Sequence, residues 1–231
     1  MPAGVNKEGG LRNLSRELLQ RHDEERRRIA AELHDSTAQN LVAACMTLSH
    51  LEAPGVQLNQ EARSLLAELQ SHIDRSLQEI RTLCYFLHPP LLDETGLGPA
   101  LSSYADSFTR TSRIRLDLDL SSGLKRLPRH VETALFRIVQ ESLANVQQHS
   151  NSRVARLSIE TTPSGVQLTV SDRGDGISGD TLEIINTGTH PGVGIASMRE
   201  RAEQLGGRLE IHSSKRGTSI RTVIPLSGGE S

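Results

Sequence analysis

Forty-two consecutive residues, Leu11 to Glu52, contain neither proline nor glycine, and the run stops at Ala53-Pro54-Gly55. Such a stretch predicts one helix, ended where proline removes a hydrogen-bond donor and glycine opens a turn. At about 1.5 Å per residue it would reach roughly 60 Å. A helix of that length needs a partner surface, because isolated helices are marginal in water. Its apolar residues supply one. Leu11, Leu14 and Leu18 open the helix at spacings of three and four, as a parallel coiled coil does. Ile29, Leu33, Leu41, Ala44, Leu48 and Leu51 continue the stripe.

A second helix follows. Leu66, Leu69, Ile73, Ser76, Ile80, Leu83 and Leu87 alternate steps of three and four, and His88-Pro89-Pro90 ends the pattern. Two long amphipathic helices joined by a short loop form a helical hairpin. One hairpin cannot cover both stripes, whereas two, one from each chain, close a four-helix bundle. A homodimer is therefore expected. Leu91 to Arg110 reads as a connecting helix with Leu97, Leu101, Tyr104 and Phe108 on one side.

Beyond residue 110 the period changes. Ile114-Arg-Leu116-Asp-Leu118-Asp-Leu120 alternates as a half-buried strand does. A helix is expected over Arg129–Gln148, and strands near Ala155–Glu160 and Val166–Ser171 flank a Pro163-Ser164-Gly165 turn. A Gly-rich stretch leads to a helix near Ala196–Leu205 and two closing strands, Arg208–His212 and Thr218–Ile224. The expected architecture is an all-α helical hairpin, dimeric as a four-helix bundle, followed by an α+β sandwich. Residues 1–23 read as a linker and signalling coiled coil, 24–110 as the dimerisation unit and 111–231 as the sheet domain. The first ten and last few residues read as mobile termini.

Composition narrows the setting. Aromatics are 2% of the chain and Trp is absent, so the core must rest on Leu, Ile, Val and Ala. The formal charge of −2 gives no electrostatic reason for a nucleic-acid or anionic membrane partner. Two lone cysteines, Cys45 and Cys84, fit a reducing, cytoplasmic location and read as small buried hydrophobes. No run approaches the roughly 18 apolar residues of a membrane span, and no signal peptide opens the chain. The chain reads as the cytoplasmic portion of something longer.

Two constellations carry chemistry. In Glu25-Arg-Arg-Arg-Ile-Ala-Ala-Glu-Leu33-His34-Asp35-Ser-Thr-Ala-Gln39, helical rotation lets Leu33 face the core while His34 points to solvent. A neutral imidazole is a competent nucleophile near neutral pH. A carboxylate beside it, Asp35, can accept the N–H of one ring nitrogen and sharpen the other. The Gln39 amide, four residues on, can place a water for hydrolysis of a phosphoryl group. Taken alone, the segment is as readily a solvated helix face that carries one of nine histidines.

The second constellation lies in the sheet domain. Glu141 and Asn145 sit four apart on one helix face, where an amide oxygen suits Mg²⁺ and a carboxylate can order one of its waters. Asp172-Arg-Gly174-Asp-Gly176 ends a strand in a tight turn. Asp172 can accept from an exocyclic amine, and the glycines let backbone approach a ligand. Gly188 to Pro191 reads as a flexible stretch. Gly192-Val-Gly194 then starts a helix whose amides suit phosphate, and Gly217-Thr218 opens the last strand. Each piece alone is an ordinary turn or helix face. Their order, each on the appropriate element, is what carries information.

Those pieces resemble the GHKL-type ATP-binding domain shared by gyrase, Hsp90, MutL and histidine kinases. The upstream segment resembles the HDxxxQ phosphoacceptor helix of the nitrate-sensor/DesK-like histidine kinases. The likeness extends from about Glu24 to Pro225. It implies a sensor histidine kinase core in which His34 is the phosphoacceptor, Asp35 the assisting base and Gln39 the phosphatase residue. It further implies Asn145 as the Mg²⁺ ligand with Glu141 beside it, and Asp172 as the adenine-binding residue. Gly174, Gly176, Gly192 and Gly194 would shape the ATP site, with Thr218 near the adenine. The partner implied is a response-regulator receiver domain carrying a helix-turn-helix output. Departures from the family pattern are Ala38 before the Gln, Arg173 after the Asp, and His88 where relatives carry Arg. The competing classes are a phosphatase-biased regulator, a nucleotide-free interaction module, and a related ATPase or serine kinase on the same nucleotide fold, which would have no reason to carry His34 within H-D-x-x-x-Q.

Overall fold

The computed structural model describes residues 5–51, 58–121, 124–163, 165–187 and 192–226. The Ala53-Pro54-Gly55 stop, the centre of the 163–165 turn, the Gly188–Pro191 stretch and both chain ends lie outside the described residues. Two compact units emerge: one spans Gln20–Pro90, and the other holds the chain from Leu91 onward together with Met1–Leu19. Among the described residues no helix is long and apolar enough to cross a membrane.

The Gln20–Pro90 unit is the helical hairpin, entered partway along its first helix. Helix α1 (Val5–Glu32) begins six residues before the predicted start, so the expected mobile opening is helical from Val5. The backbone then winds wider, as a π-helical turn over Leu33–Ala38, before returning to α2 (Gln39–Leu51). The run is thus continuous, yet it is not the uniform α-helix that its lack of Pro and Gly predicts. The wide turn contains Ser36 and Thr37, whose short hydroxyl and β-branched side chains are weak supports for an α ladder. Helix α3 (Gln60–Leu87) starts at Asn59, whose side chain accepts the Ala62 N–H at 2.8 Å. It ends at His88, the proline pair following at once.

The hairpin core is thin. Leu48, Ile73 and Leu77 are buried together with Leu41, Ala44 and Leu66 against them. Cys84 is also buried, its thiol 3.5 Å from the Ala30 carbonyl. Burial pushes that thiol's pKa up. Both cysteines are unbridged. Several stripe residues, however, face outward within one chain: Leu14, Leu18, Leu69 and Leu83 are 46–59% exposed.

The second unit is a five-stranded mixed sheet with helices on one face. Its helical elements are α4 (Pro90–Glu94), α5 (Leu97–Ser112), α6 (Arg129–His149), α7 (Gly179–Thr187) and α8 (Val193–Gln204). Strands β1 (Arg115–Leu120), β2 (Val154–Thr162), β3 (Gly165–Asp172), β4 (Arg208–Ser214) and β5 (Gly217–Ile224) lie in the order β1-β2-β3-β5-β4. Only β1 and β2 are parallel, as their crossover through α6 allows. Alternate residues of β2 and β3, Ala155, Leu157, Ile159, Val166, Leu168 and Val170, are buried beneath α5, α6 and α8. The opposite sheet face is polar, with ion pairs such as Arg156–Asp119 at 2.6 Å.

Helix α5 belongs to this core. Leu97, Leu101, Tyr104 and Phe108 are buried within it, and the Tyr104 ring meets Phe136 edge-on at 5.4 Å. Polar contacts lock the same corner. Buried Glu132 accepts the Leu127 N–H and pairs with Arg126 at 3.1 Å, while Arg126 also donates to the carbonyls of Asp93 and Glu94. The units therefore divide at Pro90/Leu91, some twenty residues before the 110/111 boundary that the change of period predicts. The amphipathic stripe of α5 shows that the helix needs a cover. It cannot show which unit supplies that cover.

Candidate active site

In the hairpin, the wide turn carries His34 and Asp35, and Gln39 opens the next α-helical stretch. All three side chains are exposed, whereas Leu33 is half-buried. The His34 imidazole is therefore open to solvent. π turns recur at functional sites, because the extra residue redirects the side chains around it. One turn upstream, Arg28 pairs with Glu25 at 2.7 Å and Glu32 at 3.3 Å. That hydrogen-bonded pairing lowers the Glu25 pKa and raises that of Arg28. Fully exposed pairs of this kind contribute little to stability.

In the sheet unit, a cavity of about 570 Å³ opens between α6, the sheet ends and α7–α8. Its size is that of a small-ligand site. Helix α6 presents Glu141, Asn145 and His149 at steps of four, all on one face. Asp172 enters from the end of β3 and Thr218 from β5, while Val146, Val170 and Ile220 supply an apolar floor. Gly192 and Gly194, at the start of α8, line the mouth. The combination gives an apolar cavity with polar groups among its walls.

The glycines divide by role. An ideal Cβ on Gly194 would fall 1.8 Å from Glu141 Oε1, so a larger residue there would push that flexible carboxylate away from the α8 backbone. Among the described residues, a Cβ on Gly192 would meet nothing within 4 Å. Gly174 differs from expectation. It does not line the cavity, and its Cβ would lie 1.8 Å from the Ser150 carbonyl. Backbone approaches backbone there, clamping the β3–α7 loop onto the end of α6. Asp175 donates its N–H to the Ser150 carbonyl at 2.9 Å, and Asn151 reaches the Asp175 carboxylate at 2.8 Å. Gly176 does line the cavity while packing its Cα against the Ser214 carbonyl. That clamp aims Asp172, whose Oδ1 accepts the Gly174 N–H at 2.8 Å. Arg173 is exposed, with its N–H held by Ser152.

Behind Glu141, burial pushes the Tyr104 hydroxyl up to about 12, opposed by Arg137 and aided by the negative charge of Glu141. Buried Arg137 also donates to Gln140 at 2.7 Å.

The donor set fits a magnesium-bound nucleotide. Mg²⁺ takes one or two protein oxygens and fills the remainder with phosphate oxygens and waters. An amide oxygen and a carboxylate four residues apart meet that demand. Among the described residues no three His, Cys, Asp or Glu cluster as a self-sufficient metal cage.

Sequence reasoning missed several wall residues, among them His149, Ser178 and Thr181. Ser178 had a readable signal, a serine just before a segment with Leu182 and Ile185 at helical spacing; its hydroxyl accepts the Thr181 N–H at 3.4 Å as a helix N-cap does, and donates to the Thr181 hydroxyl at 2.7 Å.

A hairpin bearing an exposed histidine, followed by a nucleotide-sized slot at the end of a mixed sheet, defines a class. The chain belongs to the histidine kinases. Residues 25–92 match the family described as histidine kinase, and residues 130–228 match the histidine kinase-, DNA gyrase B- and HSP90-like ATPases. Among its relatives, sensor histidine kinase MctS of Rhizobium johnstonii is 31% identical over 94% of this chain and 46% of its own length. Sensor histidine kinase NarS of Mycobacterium tuberculosis is 33% identical over 87% of this chain and 45% of its own length. The kinase/phosphatase DegS of Brevibacillus brevis is 30% identical, covering 93% and 54%. The chain therefore spans about half the length of the curated relatives it matches. The fold is shared with the histidine kinase domain of Erythrobacter litoralis EL346 blue-light activated histidine kinase, with TM-score 0.54 and 20% identity over 89% of this chain and 94% of that one.

Proposed function

We propose that this chain is the catalytic core of a dimeric sensor histidine kinase, which takes the γ-phosphoryl group of ATP onto His34 and passes it to an aspartate of a response-regulator receiver domain. The supporting observation is the convergence of Glu141, Asn145, Asp172, Thr218, Gly192 and Gly194, drawn from four separate segments, on one 570 Å³ cavity. Asp172 keeps one oxygen free of Gly174 to accept an exocyclic amine. The amides at the start of α8 face the phosphates, where the helix dipole favours negative charge. Asn145 and a water ordered by Glu141 would hold Mg²⁺, which neutralises charge on the phosphate oxygens. Glu141, already packed against Gly194, ties the metal side of the slot to its mouth.

His34 attacks through one imidazole nitrogen while Asp35 accepts the proton of the other. Positioning supplies most of the rate in such transfers. Gln39 orders water for the reverse, hydrolytic step, a reading supported by the kinase/phosphatase name of the DegS relative. The partner regulator carries a helix-turn-helix output, and no direct contact with nucleic acid is required of this chain. Dimerisation follows from the exposed Leu69 and Leu83 stripe, which a second hairpin would cover. Unbridged cysteines fit a cytoplasmic setting.

Replacing Asp172 by Asn tests the site. It keeps the shape and removes the charged acceptor, so ATP affinity should fall about tenfold to a hundredfold, with thermal stability nearly unchanged. Unaltered affinity in titration calorimetry would remove Asp172 from the nucleotide site.

A further inference from the structure

One hydroxyl pair beside the cavity has no role in the reading above. Ser213 on β4 and Thr218 on β5 are cross-strand partners, and their hydroxyl oxygens lie 2.9 Å apart. Thr218 lines the cavity and Ser213 stands behind it. Ser213 Oγ also accepts the Ile177 N–H at 2.7 Å and lies 3.3 Å from the Gly217 carbonyl. It therefore ties together the β3–α7 loop and the β4–β5 hairpin.

A hydroxyl has one proton to give. Of the two acceptors within reach of Ser213, Thr218 Oγ1 is the nearer, at a normal hydroxyl–hydroxyl separation. With Ser213 as donor, Thr218 must direct its own proton elsewhere, and among the described residues it has no other partner. The cavity is the direction open to it. The neighbouring strand sets what stands beside this donor. Ser171 pairs with Ser219, so the next position puts Asp172 alongside Thr218. Asp172 Oδ1 is engaged by Gly174, leaving Oδ2 as an acceptor. The wall thus offers an acceptor next to a donor.

We propose that Ser213 is a positioning residue that sets nucleobase preference. By donating to Thr218 it makes Thr218 the donor to the ring nitrogen adjoining the amine that Asp172 accepts. Adenine presents that amine and an acceptor nitrogen side by side. A 6-oxopurine presents the reverse pattern and leaves both wall groups mismatched, the situation in which a hydrogen-bonding site discriminates strongly. Had Ser213 given its proton to Gly217, Thr218 would donate to Ser213 and turn only lone pairs to the base. The proposal rests on reading this cavity as an adenine-nucleotide site.

Calorimetric titration of the whole chain with Mg²⁺ and three nucleotides separates the two wall groups. They are ATP, 1-deaza-ATP, which lacks the ring nitrogen, and purine riboside triphosphate, which lacks the amine. The wild type should bind 1-deaza-ATP about tenfold more weakly than ATP. In Ser213→Ala and in Thr218→Val that ratio should fall to within about twofold of unity, while discrimination against purine riboside triphosphate is kept. Ser213→Thr, which restores a hydroxyl, should recover the wild-type ratio. An unchanged ATP to 1-deaza-ATP ratio in Ser213→Ala, or equal weakening of all three nucleotides, would overturn the proposal and leave Ser213 a packing residue. Absence of ATP binding by the wild type would instead overturn the reading of the cavity itself.

Discussion

At the scale of single residues, the site is built from close approaches that only one residue type permits. Gly174 is the sharpest case, with the Ser150 carbonyl where a side chain would begin. Gly174→Ala should displace the β3–α7 loop and cost about 2 kcal/mol or more. A lowered denaturation midpoint together with weakened ATP binding is expected, and a stable variant with normal affinity would contradict the clamp. Tyr104 carries a pH signature. Its folded-state pKa of about 12 exceeds the ordinary 10, so the folded state holds the proton more tightly. The resulting stability is fully present below pH 10 and is lost as pH rises towards 12. Tyr104→Phe should remove that part of the alkaline decline. Denaturant midpoints of both proteins at about pH 9 and about pH 11 check it, and identical declines would contradict it.

At the scale of elements, the hairpin depends on faces that one chain leaves open. Leu69 and Leu83 lie on α3 and are 46% and 52% exposed, while Ile73 and Leu77 between them are buried. A helix with apolar residues on two faces calls for two partners; α2 is one, and the second hairpin of the proposed dimer would be the other. Leu69→Arg combined with Leu83→Arg should convert a dimer to a monomer in light scattering without unfolding the hairpin. A dimer that survives both changes would place the interface elsewhere. Most elements were legible beforehand because their periods are local properties: steps of three and four in α3, strict alternation in β1, proline after Leu87. What escaped was set by neighbours in space. The nine residues of α7 offer only Leu182 and Ile185 at helical spacing after Ser178, too little beside a Gly-rich stretch to fix the helix or its bounds. The π turn at Leu33–Ala38 obeys the same apolar stripe as an α-helix would. The allegiance of α5 to the sheet is decided by Phe136 and the Arg126–Glu132 pair, far along the chain. Ser213 illustrates the limit for the site, since one serine in a strand carries no pattern until its partners Thr218 and Ile177 are brought to it.

At the scale of the molecule, the proposed chemistry is divided between two units, with the exposed His34 in the hairpin and the cavity at the end of the sheet in the other. The account stands on their acting as one enzyme. Incubation with Mg²⁺ and γ-labelled ATP, beside a His34→Gln variant, tests that most directly. A label on the wild type that is lost in acid, survives base, maps to the peptide containing His34 and is missing from the variant is the predicted result. Equal labelling of the variant, or a label stable to acid, would contradict it.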